Sequence, residues 1–144
     1  MSDRPTRLAE ARQLSQMLVD IADKAKAVFA ETAATFDLPV HLARAVLMLG
    51  NPAPMRDLAD QLACDRSYIT NLADQLEERG LVTRIPGEDR RVKLLQLTPA
   101  GVALRNEISE VVAERALVLS RLNEDERKAL FPLLEKLLRD DSST

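Results

Sequence analysis

The spacing of apolar residues along the chain predicts a mainly helical protein. In residues 7–35 apolar side chains recur at intervals of three or four, so one long amphipathic helix is expected. Shorter helices are predicted over residues 39–49 and 55–63, because an Asn-Pro-Ala-Pro sequence at 51–54 breaks the chain between them. The apolar seam of the first helix consists of Leu8, Leu14, Leu18, Ile21, Val28 and Phe29.

Two further helices are predicted in the C-terminal third of the chain. Thr98 and Pro99 are suited to cap and begin a helix that continues to about residue 121. Asn123 and Glu126 have the spacing of a capping box at the start of the last helix. Pro132 is expected to kink this helix, since proline removes one hydrogen bond and crowds the preceding turn. Its apolar face comprises Leu130, Leu133, Leu134, Leu137 and Leu138.

The fourth predicted helix, between Asp65 and Gly80, has two chemically different faces. Asp65 can cap the first turn, and Gly80 can adopt the left-handed conformation that closes a helix. A turn of three residues separates it from the preceding helix, as in a helix-turn-helix DNA reader. Its apolar face consists of Ile69, Leu72, Ala73 and Leu76, and its polar face of Arg66, Ser67, Thr70, Asn71 and Asp74.

A short hairpin is predicted directly after this helix. Residues 81–85 and 92–97 have the pattern of strands, and Pro86-Gly87-Glu88-Asp89 supplies turn residues between them. The segment has a net charge of +2, whereas the whole chain has a net charge of −3. Its charged residues are Arg84, Arg90, Arg91 and Lys93 against Glu88 and Asp89. Such a basic turn suits a DNA-binding wing, because cations neutralise phosphates or enter the minor groove.

Three short motifs lie in this part of the chain. They are Leu-Glu-x-x-Gly-Leu-Val from Leu76, an Asp89-Arg90 pair followed by Arg91 at the hairpin tip, and Leu-Thr-x-x-Gly from Leu97. Together they resemble the winged helix-turn-helix of the MarR family of transcriptional regulators. The resemblance implies a two-fold dimer whose terminal helices interlock, and small aromatic or phenolic effectors.

The fold class that follows is mainly α with a small β-hairpin wing. We predict an N-terminal dimerisation helix over residues 1–35, a winged helix-turn-helix DNA-binding domain over 36–100, and C-terminal dimerisation helices over 101–144. The seams of the first, fifth and sixth helices need a partner, since a small winged domain cannot cover them. A symmetric dimer would bring two reading helices about 34–36 Å apart and select a pseudo-palindromic site in double-stranded DNA.

Composition narrows the function further. Aromatic residues make up 3% of the chain and there is no Trp, so its core must consist of aliphatic residues. The negative net charge implies that DNA binding is local to the reading helix and wing. The single Cys64 cannot form a disulfide within the chain and fits a reducing compartment. Without a signal sequence or long apolar run, we expect a soluble, cytoplasmic protein that does not enter membranes.

The residues predicted to contact DNA lie on the fourth helix and the hairpin. Arg and Asn can read guanine and adenine through paired hydrogen bonds, while strand cations contact phosphates. The alternative is an ordinary solvated face with solvated turn cations, and Tyr68 could instead pack inward. The predicted DNA contacts are Arg66, Ser67, Tyr68, Thr70, Asn71, Arg84, Arg90, Arg91 and Lys93.

Two further sites follow only from the family resemblance. It implies that Asp89 and Arg91 brace the wing, which leaves Arg90 as the groove arginine. It also implies an effector pocket between the dimer helices and the winged domain, lined by Phe36, His41, Arg44 and Met48. The plainer interpretation of His41 is a surface or cap histidine.

The remaining chemistry argues against an enzyme. The chain has no paired acid and base, nucleophile motif, glycine-rich phosphate loop or metal-ligand spacing, so neither a metal nor a cofactor is expected. Cys64 precedes the reading helix, whose N-terminus could lower a thiol pKa, so it is either a redox sensor or a small buried turn residue. The predicted function is a sequence-specific DNA-binding repressor released by an effector. The alternative is a winged-helix protein-interaction module that does not bind DNA.

Overall fold

Helices account for most of residues 3–141, which are the residues described by the computed structural model. Residues 1–2 and 142–144 of the predicted terminal domains lie outside this range. The mainly α fold with a small β wing is confirmed. In chain order the elements are α1 (Arg4–Thr35), α2 (Val40–Met48), β1 (Ala53–Pro54), α3 (Met55–Leu62), α4 (Arg66–Glu78), β2 (Val82–Pro86), β3 (Lys93–Leu97), α5 (Pro99–Glu114), α6 (Leu117–Arg121) and α7 (Glu124–Leu138).

These elements divide into two compact units. Residues 26–112 form one, here called the winged unit. Residues up to 25 and from 113 onward form the other, here called the terminal unit. The boundaries fall inside α1 and near the end of α5, so both long helices contribute to both units.

The core of the winged unit is aliphatic, as the composition requires. Each element of this unit except the short β1 contributes at least one large apolar side chain or a buried threonine to it. Burial of apolar side chains is the main stabilising term. The largest fully buried side chains are Thr32, Leu42, Val46, Leu58, Ile69, Leu72, Leu76, Val82, Leu95 and Ile108. The predicted apolar face of α4 is therefore buried in full.

The sheet has three antiparallel strands in the order β1-β3-β2. β2 and β3 form the predicted hairpin, with Val82 opposite Leu97 and Pro86 opposite Lys93. β1 was not predicted, because an Ala-Pro pair that directly follows Pro52 carries no strand pattern. It pairs Ala53 with Leu95, which makes it an edge strand where proline is tolerated.

One helix start predicted in the C-terminal part of the chain is confirmed, and another predicted helix there is interrupted. Asn123 accepts a hydrogen bond from the Glu126 amide, and the Glu126 side chain accepts one from the Asn123 amide. The helix predicted over 99–121 is interrupted at Arg115 and Ala116, so it forms α5 and α6. α7 contains Pro132 and runs through it without a break in the helix. None of the helices within residues 3–141 is long and apolar enough to span a bilayer.

Candidate nucleic-acid interface

The turn between α3 and α4 has the predicted three residues. Ala63 adopts a left-handed conformation with φ of 53°, and the Cys64 amide donates to the Ala59 carbonyl. Asp65 caps α4, since its Oδ1 accepts a hydrogen bond of 2.8 Å from the Tyr68 amide. Cys64 is half-buried and packs against the core. This turn thus fixes α3 and α4 as a helix-turn-helix pair.

The outward face of α4 is polar and accessible. Arg66, Ser67, Thr70 and Asn71 are all exposed, as their positions opposite the buried face require. The Thr70 hydroxyl donates to the Arg66 carbonyl at 2.9 Å, which leaves its oxygen able to accept. Tyr68 does not pack inward, because 43% of it is exposed.

Two of the three motifs that carry the family resemblance, those beginning at Leu76 and Leu97, meet where α4 ends. Gly80 has φ of 73°, and the Leu81 amide donates back to the Leu76 carbonyl, which closes the helix. The Thr98 hydroxyl donates to the Gly80 carbonyl at 2.6 Å and accepts from the Gly101 amide at 3.1 Å. The Thr98 amide donates to the Leu81 carbonyl. These bonds join the end of α4, the end of β3 and the start of α5.

The wing tip is longer than predicted. Pro86 belongs to β2, so the tip comprises residues 87–92 rather than a turn over 86–89. The Gly87 amide donates to the Val92 carbonyl, and the Val92 amide donates to the Asp89 carbonyl. Arg90, Arg91 and Lys93 are exposed.

The residues implied as the wing brace are joined through the backbone. The Asp89 carboxylate accepts a hydrogen bond of 3.1 Å from the Arg91 amide. This bond organises the tip, and both Arg90 and Arg91 are exposed. Asp89 therefore stabilises the tip locally, as aspartate commonly does in turns.

Arg84 links the wing to α4. Its Nη2 lies 2.5 Å from Asp74 Oδ1, and its Nε lies 3.7 Å from Glu77 Oε2. The pair Asp74 and Glu77 is spaced by three residues, so both carboxylates face one side of the helix. The sequence indicated this spacing but not the approach of β2, so these ion pairs were not predicted. Arg84 is 32% exposed in this arrangement.

The four residues implied for the effector pocket have different surroundings. Phe36 and Met48 are half-buried against the core of the winged unit. His41 Nε2 lies 3.4 Å from Gln75 Oε1, and its ring centroid lies 6.0 Å from that of Tyr68. Arg44 is exposed. The His41 side chain therefore reaches from α2 to α4, where it lies next to Tyr68 of the predicted DNA-contacting face.

Comparisons with known proteins agree with this geometry. The chain is 40% identical over 89 residues to a Thauera aromatica protein assigned by inference as a transcriptional regulatory protein for the hcr operon. That alignment covers 60% of this chain and 54% of the relative, so the chain spans about half the length of the curated relative it matches.

Solved structures show the same fold. Escherichia coli MarR in its apo form superposes with a TM-score of 0.74 at 23% identity, covering 88% of this chain and 96% of that one. A mutant of that protein in complex with operator DNA gives 0.69 at 23% identity, covering 96% and 100%. A probable transcriptional regulator from Pseudomonas aeruginosa gives 0.66 at 27% identity, covering 88% and 97%.

The sequence profile of the MarR family matches residues 50–93, from the loop before β1 to the first residue of β3. This range contains the helix-turn-helix, the Arg84 ion pairs and the wing tip described above. The chain is therefore similar to the MarR family across its helix-turn-helix and wing.

Proposed function

We propose that this protein is a sequence-specific regulator of transcription that binds double-stranded DNA. The observation that carries the proposal is the exposed polar face of α4 beside a cationic wing tip in one compact unit. Ion pairs from Arg84 to Asp74 and Glu77 join the helix to β2 of the wing. A rigid helix with polar side chains suits the major groove, and a cationic hairpin suits the adjacent backbone or minor groove.

Each exposed side chain has a role in this proposal. Arg66 and Asn71 read base edges through paired hydrogen bonds, each contributing about 1–3 kcal/mol of discrimination. Ser67, Tyr68 and Thr70 provide further polar contacts along the same face. Arg90 enters the minor groove, while Arg91 and Lys93 contact phosphates and add affinity without sequence information.

The proposed active form is a homodimer assembled through the terminal unit. Apolar side chains there are exposed in the single chain, and a second copy would bury them. They include Leu8, Leu14, Leu18, Ile21, Phe131, Leu133, Leu137 and Leu138. A two-fold dimer presents two α4 helices to successive turns of the major groove and therefore selects a pseudo-palindromic operator.

The proposed mode of regulation is repression relieved by a small molecule. A bound dimer occludes its operator, and a ligand that binds the free form better than the DNA-bound form lowers DNA affinity by its differential binding. A solved MarR structure of the same fold is named a multiple antibiotic resistance repressor. That name supports repression here by analogy of fold alone.

DNA binding is tested with labelled duplex from the intergenic region upstream of this protein's own coding sequence. Fluorescence anisotropy over a range of salt concentrations gives the affinity and its salt slope. We expect saturable binding above that of scrambled duplex, with log K falling steeply against log salt as phosphate contacts release counterions. Equal affinity for the scrambled duplex, or no binding, would favour the protein-interaction module.

A pair of wing-tip variants sharpens the test. Arg90→Ala should weaken binding by more than about tenfold, the effect of losing a charge-assisted contact, and leave the dimer intact. Glu88→Gln is the matched control, because it removes an anion from the same tip and should preserve or increase affinity. An unchanged affinity of Arg90→Ala near 0.15 M salt would refute the role of the wing.

A further inference from the structure

The ring of His41 connects the start of α2 to one side of α4. Its centroid lies 6.0 Å from the centroid of the Tyr68 ring, and the two ring planes are inclined at 55°. Its Nε2 lies 3.4 Å from Gln75 Oε1. Tyr68 and Gln75 are seven residues apart, which is about two helical turns, so they lie on the same side of α4. His41 therefore contacts this side of the helix at two positions.

The backbone that carries His41 is anchored on both sides. The two residues that follow it, Leu42 and Ala43, are fully buried in the core of the winged unit. Before it, the Asp37 carbonyl accepts a hydrogen bond of 3.1 Å from Arg79 Nη1 at the end of α4. This bond is a further connection between α4 and the segment that leads into α2. The position of the histidine relative to α4 is therefore set by the packing of the unit.

Tyr68 is the more exposed member of the ring pair. Its accessible fraction is 43%, and its backbone is fixed by the hydrogen bond from its amide to Asp65. Within residues 3–141 no protein group pairs with its hydroxyl, which is therefore available to DNA. Tyrosine hydroxyls contact phosphate oxygens in protein–DNA complexes. A ring that must be ordered on binding costs conformational entropy, and a contact that orders it beforehand reduces that cost.

We infer that His41 is a positioning residue for DNA binding and acts through Tyr68, an inference that rests on the proposed function. Aromatic rings attract each other at centroid separations of about 4.5–7 Å, so the contact favours one orientation of the Tyr68 ring before DNA binds. The oriented tyrosine then places its hydroxyl against a backbone phosphate. This role adds affinity rather than base discrimination, and it differs from the effector-pocket position that the family resemblance implied for His41.

The ring contact is tested first without DNA, by proton NMR of the full chain. The chain contains one histidine and one tyrosine, so the ring signals of these residue types identify His41 and Tyr68 directly. We expect a nuclear Overhauser cross-peak between the two rings. The tyrosine ring signals should also shift in His41→Ala, because the ring current of the histidine is lost. Absence of the cross-peak, or unmoved tyrosine signals in folded His41→Ala, would overturn the inference.

Three replacements of His41 separate its ring from its hydrogen-bonding capacity. His41→Phe keeps an aromatic ring, and its affinity for the upstream duplex should stay within about twofold of that of the unchanged protein. His41→Ala and His41→Gln lack the ring and should each bind about three- to tenfold more weakly, which corresponds to the loss of one aromatic pair. Affinity retained by His41→Gln but not by His41→Phe would contradict the ring contact. Circular dichroism and urea unfolding check that each variant is folded.

A double-variant cycle shows whether His41 acts through the Tyr68 ring. Tyr68→Phe lacks only the hydroxyl and should bind the duplex more weakly than the unchanged protein, because the phosphate contact is lost. When Tyr68→Ala is already present, adding His41→Ala should lower the affinity by less than about twofold, since the two replacements disrupt one interaction. A full three- to tenfold further loss in that background would overturn the positioning role, because His41 would then act independently of the tyrosine.

Failure of this inference is distinguishable from failure of the proposed function. Preferential binding of the upstream duplex with equal affinities of the unchanged protein and His41→Ala would refute the role of His41 alone. If the unchanged protein does not prefer this duplex over scrambled duplex, the proposed function fails, and the role of His41 in it fails with it even when the ring cross-peak is present. Preferential binding that weakens in His41→Ala and is restored in His41→Phe upholds both.

Discussion

Gly101 shows why one position of the family motif must be a glycine. It lies in the first turn of α5, where alanine would ordinarily be preferred by about 1 kcal/mol. A Cβ at this position would lie 2.2 Å from the Leu81 carbonyl oxygen, which accepts the Thr98 amide hydrogen bond. The packing of α5 against the end of α4 therefore excludes any side chain here.

Replacing Gly101 should reverse the usual effect of alanine in a helix. We expect Gly101→Ala to lower the free energy of unfolding by about 1–3 kcal/mol, as overpacking does elsewhere. Urea unfolding at fixed protein concentration measures this change. The matched control is Gly80→Ala, whose Cβ would meet nothing within 4 Å, so that its cost of about 1–2 kcal/mol comes only from the left-handed backbone. A Gly101→Ala protein that is more stable than the original would contradict the close approach.

At the scale of elements, Arg84 couples a helix to a strand. Its ion pairs with Asp74 and Glu77 connect α4 to β2, while Arg90 and Arg91 at the tip remain exposed. As pairs on a partly exposed surface they contribute little to folding stability, on the order of 0–1 kcal/mol. Their main effect is on orientation, since they hold the wing in register with the reading helix and offset two anions beside the proposed DNA.

The sign of an Asp74 substitution distinguishes this bracing role from simple charge effects. Removing an anion near DNA should raise affinity if only long-range electrostatics mattered. We expect Asp74→Ala to lower operator affinity several-fold instead, because Arg84 loses its nearest partner. The control is Glu78→Ala, which removes an exposed acid from the same helix and should not lower operator affinity.

Anisotropy titration of operator duplex measures both variants. In the double variant Asp74→Ala with Arg84→Ala, the two losses should be less than additive, since they disrupt one interaction. Full additivity, together with a salt slope shallower by about one per subunit for Arg84→Ala alone, would instead assign Arg84 to a phosphate contact.

The elements differ in how far the sequence predicted them. α4 was predictable because Asp65 and Gly80 are local signals for its two ends. β1 was not, because two residues acquire strand geometry only by pairing with β3, about forty positions later. The interruption between α5 and α6 has no Gly or Pro to indicate it, since residues 113–117 read Ala-Glu-Arg-Ala-Leu.

The candidate site likewise contains features that the sequence could predict and features that it could not. The exposed faces of α4 and the tip follow from periodicity, which is a local property. The ion pairs of Arg84 with Asp74 and Glu77 span ten and seven residues and depend on how the strand approaches the helix. The hydrogen bond from Arg105 Nε to the Leu47 carbonyl likewise joins α5 to the end of α2 across 58 residues of chain. Pairings of this kind are set by tertiary packing.

For the whole molecule, the terminal unit exposes several large apolar side chains in the single chain. Leu18, Ile21, Leu117, Leu122, Leu130 and Leu134 line a groove of about 340 Å³ within this unit. Leu14, Phe131 and Leu138 are exposed nearby in sequence, and Leu138 is 81% exposed. Contiguous apolar surface on a protein of this size commonly marks a protein–protein interface. Of the seam predicted for the first helix, Leu8, Leu14, Leu18 and Ile21 are exposed in the single chain, whereas Val28 and Phe29 are half-buried.

Disrupting this surface should separate the proposed dimer into monomers without unfolding the winged unit. We expect removal of residues 1–20 to give monomers or aggregates, because much of the apolar surface of α1 is lost. The full-length variant Leu14→Lys with Leu18→Lys should give monomers, because both side chains are about half exposed in the single chain and are not needed for its own packing. Gln13→Lys adds one charge to the same helix at an exposed polar position and should remain dimeric.

Sedimentation velocity of these proteins measures their association, and circular dichroism checks that they are folded. If the Leu14→Lys, Leu18→Lys protein is monomeric, its operator affinity should fall by far more than a factor of two. In a dimer, binding of one subunit holds the other close to the second half-site, and a monomer lacks this gain. A stable dimer after removal of residues 1–20, or a dimeric double-lysine variant, would show that association uses another surface. DNA binding at full affinity by a proven monomer would instead separate operator recognition from dimerisation.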